Sequence, residues 1–199
     1  MSMLSARYGK QEPEAGCDEA GRGPLAGPVF AAAVIFDASY RNPRLDDSKK
    51  LGEKARYELR EEIMRDALSY AVAQVDAGEI DRINILQASI KAMHMALARL
   101  DPQPALITVD GNRFRPYGKV PHVCVVKGDG KYLSIAAASI LAKTFRDDHM
   151  LRLHEQCPLY GWDKNKGYPT KEHYQAISRN GPSPWHRRSF KLYKEPELF

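Results

Sequence analysis

The sequence contains the stretch Cys17-Asp18-Glu19-Ala20-Gly21-Arg22-Gly23-Pro24-Leu25-Ala26-Gly27-Pro28. Two adjacent carboxylates follow a short apolar approach, and glycine and proline recur in the residues after them. Glycine lets the backbone turn sharply and come close to a ligand, because it has no Cβ. Two acids beside such a backbone predict a site for a metal ion and a phosphate.

Size, charge and cysteine content limit the class of protein. A chain of 199 residues is expected to form a single domain, and its net charge of +5 suits a protein that meets polyanions. The three cysteines are odd in number and include no Cys-x-x-Cys pair, so they indicate neither a disulfide framework nor a zinc site. No segment approaches the ~20 apolar residues that cross a bilayer. We therefore expect a soluble, cytoplasmic protein that does not bind membranes.

Apolar runs predict an α/β protein with a mixed sheet of about five strands and flanking helices. The predicted strands are residues 14–20, 29–36, 70–75, 105–110 and 120–126. Residues 29–36 are apolar on both faces, which is typical of a central strand covered by helices on both sides. Asp76-Ala77-Gly78 is expected to end the third strand.

Four segments have helical spacing of their apolar residues: 53–67, 85–100, 131–153 and 170–180. Asn84 and Thr170 are expected to cap two of these helices. In the third, alanines predict close packing on the sheet, while Ser139, Lys143 and Arg146 are spaced to form one polar strip. Residues 158–169 are expected to form a loop.

Four acids lie where a predicted strand ends or a helix begins: Asp18, Glu19, Asp110 and Asp129. Loops at strand ends are exposed while the sheet fixes their position, so α/β folds often build sites there. Oxygen ligands without histidine or cysteine suit Mg²⁺ better than zinc. The composition of this cluster favours phosphoryl chemistry.

Each of these acids also has a structural interpretation. Asp110 before Gly111 is compatible with a hairpin turn, and Asp129 with a helix cap. Asp18 and Glu19 could form a solvated strand end. Adjacent residues on a regular strand point to opposite faces, so a shared metal site requires the backbone to turn at Glu19.

Other reactive side chains lack the partners that catalysis needs. Cys17 and Ser139 have no positioned base in the sequence, and a small buried residue is the simpler interpretation of Cys17. The histidines lack the His-Glu-x-x-His spacing of a zinc helix, so we assign them to the surface or to packing; they are His149, His154, His173 and His186. By composition alone, residues 47–50 are a solvated turn.

Six blocks of sequence, in order, resemble the bacterial ribonuclease HII family. They are DEAGRGPLAGPV (18–29), DSKKL (47–51), VDGN (109–112), KGD (127–129), SIAAASILAK (134–143) and NKGYPT (165–170). The resemblance covers the chain from about Gly16 to Phe190. It implies a ribonuclease H-like catalytic domain over residues 1–199, of which about 150–199 form a helical C-terminal extension.

The resemblance also implies an activity and its residues. The family cleaves the RNA strand of RNA–DNA hybrids and nicks duplex DNA 5′ of single embedded ribonucleotides, leaving 3′-hydroxyl and 5′-phosphate ends. By resemblance, the metal-binding and catalytic carboxylates are Asp18, Glu19, Asp110 and Asp129, which would hold two Mg²⁺ or Mn²⁺ ions during catalysis. The residues expected to bind substrate are Gly21, Arg22 and Gly23 at the ribose 2′-hydroxyl, Tyr168 at the sugar, and Lys49, Ser139, Lys143 and Arg146 at phosphates.

Partners and alternatives follow from the same resemblance. RNA–DNA hybrids and ribonucleotide-containing duplex DNA are the expected ligands, and a monomer is the expected state. Some relatives bind a sliding clamp through a C-terminal peptide, but no such peptide is evident after Phe190. The alternatives are a non-catalytic hybrid-binding protein and a resolvase- or integrase-like nuclease of similar fold.

Overall fold

Five strands form one mixed sheet in the order β3-β2-β1-β4-β5. In this computed structural model, which describes residues 4–48 and 50–193, they are β1 (Glu14–Ala20), β2 (Val29–Ile35), β3 (Ser69–Val75), β4 (Leu106–Asp110) and β5 (His122–Val125). β2 is antiparallel to both β1 and β3, whereas β1, β4 and β5 run parallel to one another. The predicted mixed five-stranded sheet is confirmed.

Six α-helices flank and extend this sheet in the described part of the chain. They are α1 (Glu53–Asp66), α2 (Ala77–Ile83), α3 (Ile85–Leu97), α4 (Leu133–Gln156), α5 (Trp162–Asn165) and α6 (Lys171–Asn180). Short 3-10 turns cover Gly128–Gly130 and Pro158–Tyr160. No helix within the described ranges is both long and apolar enough to span a membrane.

The two faces of the sheet are covered by different helices. Val29, Ala31 and Ala33 of β2 pack with α3, whereas Ala32 and Val34 pack with α1 and α4. Every residue of β2 is buried, so the expectation of a central strand is confirmed. Burial on both faces removes the polar alternation of a half-exposed strand and leaves a continuous apolar run.

Helix α4 lies unusually close to β1. A Cβ added to Gly16 would overlap the backbone of Ser134, so only glycine permits this approach. The alanines of α4 that face the sheet are fully buried, as predicted; they are Ala136, Ala137, Ala138 and Ala142. The close contact fixes α4 relative to the end of β1, where the acidic residues lie.

Two helices were not predicted. Asp76 does not simply end β3, because its side chain accepts a hydrogen bond from the Glu79 N–H at 2.8 Å and caps α2. The segment 158–169, expected to be a loop, contains α5, whose Trp162 is fully buried. At the predicted caps the structure agrees: the side chains of Asn84 and Thr170 accept from N–H groups three residues on.

Candidate active site

The parallel strands β1, β4 and β5 bring four acids to one edge of the sheet. Asp18 and Glu19 lie near the carboxyl end of β1, and Asp110 is the last residue of the neighbouring β4. Strand β5 leads into the 3-10 turn that contains Asp129. Because the carboxyl ends of parallel strands meet at the same edge, residues far apart in sequence become neighbours here.

Asp18 is a buried carboxylate with defined partners. Its Oδ1 accepts a hydrogen bond from the Glu19 N–H at 2.7 Å, and the Ser139 hydroxyl on α4 lies close enough to lower its pKa. Ser139 Oγ in turn lies 2.8 Å from Ser48 Oγ. Burial raises the pKa of Asp18 well above its ordinary value, and the charges of Glu19 and Asp110 raise it further.

Glu19 lies on the face of β1 opposite to that of Asp18, toward α3. The strand remains paired with β2 through Ala20, and the first left-handed residue is Gly21, at φ 95°. The predicted turn at Glu19 is therefore wrong, because sheet pairing keeps both acids on a regular strand. Asp110 raises the pKa of both Asp18 and Glu19, so this residue at the end of β4 lies close to each of them.

Asp110 and Asp129 are joined through the 3-10 turn. Asp110 Oδ1 accepts a hydrogen bond from the Gly128 N–H at 2.7 Å. Since β4 and β5 are parallel, the hairpin interpretation of Asp110 is wrong. Helix α4 begins after Tyr132 and has no side-chain cap, so the capping interpretation of the buried Asp129 is wrong as well.

This donor set fits a hard divalent cation. Asp18, Glu19 and Asp110 supply only oxygen ligands. Burial and the repulsion from neighbouring carboxylates raise the pKa values of Asp18 and Glu19, so the charged forms of these two groups are disfavoured. Arg22 NH1 donates to Glu19 Oε1 at 3.1 Å and offsets part of the repulsion between the carboxylates. A bound cation would relieve the rest of it. Within residues 4–48 and 50–193, no three His, Cys, Asp or Glu side chains already surround one point.

The segment 21–28, which we call the glycine loop, rests on two buried arginines. Arg187 donates from Nε to Gly27 O at 3.0 Å, from NH1 to Arg22 O at 3.0 Å and from NH2 to Gly21 O at 2.7 Å. Arg146 donates from Nε to Pro28 O and from NH2 to Ala26 O; a Cβ on Gly21 would overlap its side chain. Both side chains are fully buried.

Arg146 therefore does not extend the predicted polar strip on α4. Burial under the glycine loop separates it from solvent, and its guanidinium contacts carbonyl groups where a phosphate contact was expected. Helical spacing placed it correctly on one face with Ser139 and Lys143, but the sequence did not reveal what covers that face. Lys143 Nζ bonds both carboxylate oxygens of Asp147 at 2.6 Å. Lys49 lies outside the described residues.

Tyr168 lies beside the glycine loop. The residue is 39% exposed, and its ring is the nearest neighbour of a Cβ built on Gly23, at 4.0 Å. On its inner side the ring covers the Arg146 guanidinium, 5.6 Å from the ring centroid. The segment is fixed in place because Leu25 N–H donates to Gly167 O at 2.8 Å. An exposed aromatic ring thus borders the glycine loop at the edge where the acids lie.

Sequence reasoning missed the role of Arg187. It lies in a basic, aromatic tail segment that looks solvated, and it contacts carbonyls about 160 residues earlier in the chain. The histidines assigned to surface or packing include two that are buried, His173 and His186. No local pattern identifies such long-range contacts.

Comparisons with known proteins agree with this architecture. The model of the family Ribonuclease HII matches residues 15–193. A protein named Ribonuclease HII from Bacteroides thetaiotaomicron is 57% identical over 98% of each chain. The structure of the PCNA:RNase HII complex from Archaeoglobus fulgidus is similar at a TM-score of 0.76, with 26% identity over 93% of this chain and 98% of that one. Bst-RNase HIII in complex with Mn²⁺ shares the fold at a TM-score of 0.67 and 19% identity, covering 96% of this chain and 68% of that one.

Proposed function

This chain belongs to the ribonuclease HII family, and from that membership we propose that it is an endoribonuclease that hydrolyses the RNA strand of RNA–DNA hybrids. The finer part of the proposal is that it nicks duplex DNA 5′ of single embedded ribonucleotides. The products would carry 3′-hydroxyl and 5′-phosphate ends.

One observation supports the proposal most strongly. Asp110, at the end of a strand parallel to β1, lies close enough to raise the pKa values of Asp18 and Glu19, at the same edge as the glycine loop and Tyr168. Acids that repel one another where water is partly excluded destabilise the fold, so their presence favours a role in binding positive charge. A structural role alone does not account for three of them together.

The residues proposed to hold metal are Asp18, Glu19, Asp110 and Asp129. Two Mg²⁺ or Mn²⁺ ions bound there during catalysis would supply a nucleophilic water and neutralise charge on the scissile phosphate. The protein's own contribution is positioning. The Glu19 N–H orients the Asp18 carboxylate, and the Gly128 N–H orients that of Asp110.

Substrate selection is proposed to depend on the glycine loop. The 2′-hydroxyl distinguishes RNA from DNA at a given site. The backbone of Gly21, Arg22 and Gly23 can approach a sugar because neither glycine carries a Cβ. The exposed face of Tyr168 is proposed to pack on the same sugar, while Ser139 and Lys143 contribute to phosphate binding.

The test is cleavage of a duplex that contains one ribonucleotide. Wild-type protein should nick it only with Mg²⁺ or Mn²⁺, on the 5′ side of the ribonucleotide, and end-labelled products should report the expected termini. Asp18→Asn should reduce the rate by at least about 10³-fold, as loss of a principal electrostatic group does in other enzymes. Asp66→Asn, the same chemical change at the end of α1, is the matched control.

The two alternatives give different results in the same assay. Binding without a metal-dependent nick would favour a non-catalytic hybrid-binding protein. Cleavage of an all-DNA duplex or branched DNA would favour a resolvase- or integrase-like nuclease. Undiminished cleavage by Asp18→Asn would contradict the proposed catalytic role of this edge of the sheet.

Assembly is a separate part of the proposal. We expect a monomer, which light scattering of the purified protein checks. The C-terminal residues 194–199, where the absence of a clamp-binding peptide was predicted, lie outside the described residues.

A further inference from the structure

Arg187 has an unusual place for a charged side chain. It is fully buried, and the described residues offer it no salt bridge. Its donors instead bond three carbonyl oxygens of the glycine loop, those of Gly21, Arg22 and Gly27. Removing a charge from water is costly, so this arrangement requires an explanation beyond simple packing.

The orientation of two peptide groups follows from these bonds. In a trans peptide the C=O and the N–H point in opposite directions. The Gly21 carbonyl shares its peptide with the Arg22 N–H, and the Arg22 carbonyl shares its peptide with the Gly23 N–H. Because Arg187 binds both carbonyls, the two N–H groups must point away from it.

Those two N–H groups are available to a ligand. Within the described ranges, neither the Arg22 N–H nor the Gly23 N–H donates a hydrogen bond to the protein. Tyr168, the exposed ring next to Gly23, borders the same surface. The loop therefore presents two adjacent backbone donors beside an aromatic ring, a combination suited to a sugar hydroxyl.

We propose that Arg187 is a positioning residue that determines ribose specificity by holding the Arg22 and Gly23 N–H groups outward toward the 2′-hydroxyl of the substrate. This inference rests on the proposed function, since it assigns the device that reads the sugar. Arg187 itself does not touch the nucleic acid in this arrangement.

Arginine is suited to this position in a way that lysine is not. The guanidinium is a rigid fork whose donors reach separate acceptors in one plane, whereas an ammonium is a single point of charge. Arg187→Lys should keep the charge and lose the simultaneous contacts. The glycine loop should otherwise stay in place, because Arg187 N–H donates to Leu25 O at 2.8 Å and Gly27 N–H to Trp185 O at 2.9 Å through the backbone.

The first experiment measures binding without divalent metal, by fluorescence anisotropy. Wild-type protein should prefer a duplex with one ribonucleotide over the same all-DNA duplex. Arg187→Lys and Arg187→Met should lose about tenfold or more of that preference, since both N–H groups lose their orientation. Their affinity for the all-DNA duplex should stay unchanged, because the residues proposed to bind phosphate, Ser139 and Lys143, lie outside the loop and phosphate contacts do not read the sugar. Arg188→Ala, the exposed neighbour, should retain the preference.

The outcomes distinguish a failure of the proposed function from a failure of the role proposed for Arg187. A wild-type protein that neither prefers nor nicks the ribonucleotide duplex would overturn the proposed function. A wild-type protein that does both, together with a folded Arg187→Lys variant that keeps the full preference, would overturn only the role of Arg187. Equal losses on both duplexes would also overturn it, because they would indicate a general structural role.

A second measurement needs no variant. Amide hydrogen exchange of the wild-type protein should show the Arg22 and Gly23 N–H groups exchanging rapidly in the free state. They should become protected with the ribonucleotide duplex and remain unprotected with the all-DNA duplex. Protection in the free protein, or equal protection by both duplexes, would contradict the inference.

Discussion

His186 Nε2 lies 3.1 Å from His173 Nε2, and the surrounding contacts determine which ring nitrogens carry protons. His173 Nδ1 is 2.9 Å from Tyr168 O and must donate to it, so His173 Nε2 accepts from Trp162 Nε1 and from His186. His186 then carries its proton on Nε2, and its Nδ1 accepts from the Ser183 N–H at 2.9 Å. Both rings are neutral in this network, which ends at the backbone of Tyr168.

The neutral histidine pair predicts a loss of stability in acid. Burial, with His173 and Arg188 contributing, lowers the pKa of His186 to about 4, whereas an unfolded histidine titrates near 6.5. Below about pH 6.5 the unfolded chain therefore binds a proton that the folded chain does not bind until about pH 4, and the folded state loses stability across that interval. The loss from this group is on the order of 3 kcal/mol.

Denaturant unfolding at pH 7 and pH 5 measures this effect. His186→Gln cannot titrate and should flatten the difference between the two pH values, even though the variant itself is less stable at pH 7. His94→Gln, a substitution of a histidine packed near Tyr117 and Phe114, controls for the general effect of removing a histidine. An unchanged pH dependence in His186→Gln would show that other groups cause the acid loss.

Two glycines of the glycine loop should respond differently to alanine. Gly21 has φ 95°, and a Cβ there would overlap the Arg146 side chain. Gly21→Ala should therefore destabilise the protein by about 2–3 kcal/mol, lowering Tm by roughly 5–10 °C. A Cβ on Gly23 would meet only Tyr168, at 4.0 Å, so Gly23→Ala should leave Tm nearly unchanged.

Gly23→Ala should reduce activity although it leaves stability nearly unchanged. The added methyl of Gly23→Ala faces the surface where the sugar is proposed to bind, so it should reduce cleavage of a ribonucleotide-containing duplex in a fully folded protein. Thermal unfolding and a cleavage assay on both variants give the comparison. A large fall in Tm for Gly23→Ala would contradict the surface position of this residue.

Tyr168 should matter for substrate and little for stability. The residue is 39% exposed, and the inner face of its ring covers the Arg146 guanidinium. Tyr168→Phe retains the ring and should keep most of the activity, whereas Tyr168→Ala should raise KM for a single-ribonucleotide substrate by about tenfold, a typical cost of losing one aromatic stacking contact. Tm should fall by only a few degrees for the alanine variant. Equal activity of the two variants would exclude a stacking role.

Much of the fold was predictable because the faces of a segment that are buried determine which of its residues are apolar. β2 is covered on both faces and is apolar throughout, and Asn84 and Thr170 cap helices through local contacts that depend on neighbouring residues alone. Helix α2 was missed because Asp76 and Gly78 also signal a strand end. Local signals cannot decide between a turn and a short helix that later packing stabilises.

The candidate site also contains residues that the sequence predicts and residues that it does not. Asp18, Glu19 and Asp110 were expected to lie near one another because each stands at the end of a predicted strand, and the parallel pairing of β1 and β4 brings those strand ends together. Arg146 was assigned to a phosphate and Arg187 was missed, because only tertiary structure reveals the carbonyl groups that surround these side chains. Contacts of this kind involve residues more than 100 positions apart and have no periodicity.

In the absence of metal, replacing Asp18 by asparagine should make the protein more stable. Asp18→Asn retains an acceptor for the Glu19 N–H but removes a buried charge beside Glu19 and Asp110. Relief of that repulsion should stabilise the protein by about 1–2 kcal/mol in EDTA, raising Tm by a few degrees. Mn²⁺ should raise the Tm of the wild-type protein progressively with concentration, because a ligand that binds only the folded state stabilises it. The same titration should move Asp18→Asn much less. A lower Tm of the variant in EDTA, or an equal response of both proteins to Mn²⁺, would show that the Asp18 carboxylate serves the fold and not a cation.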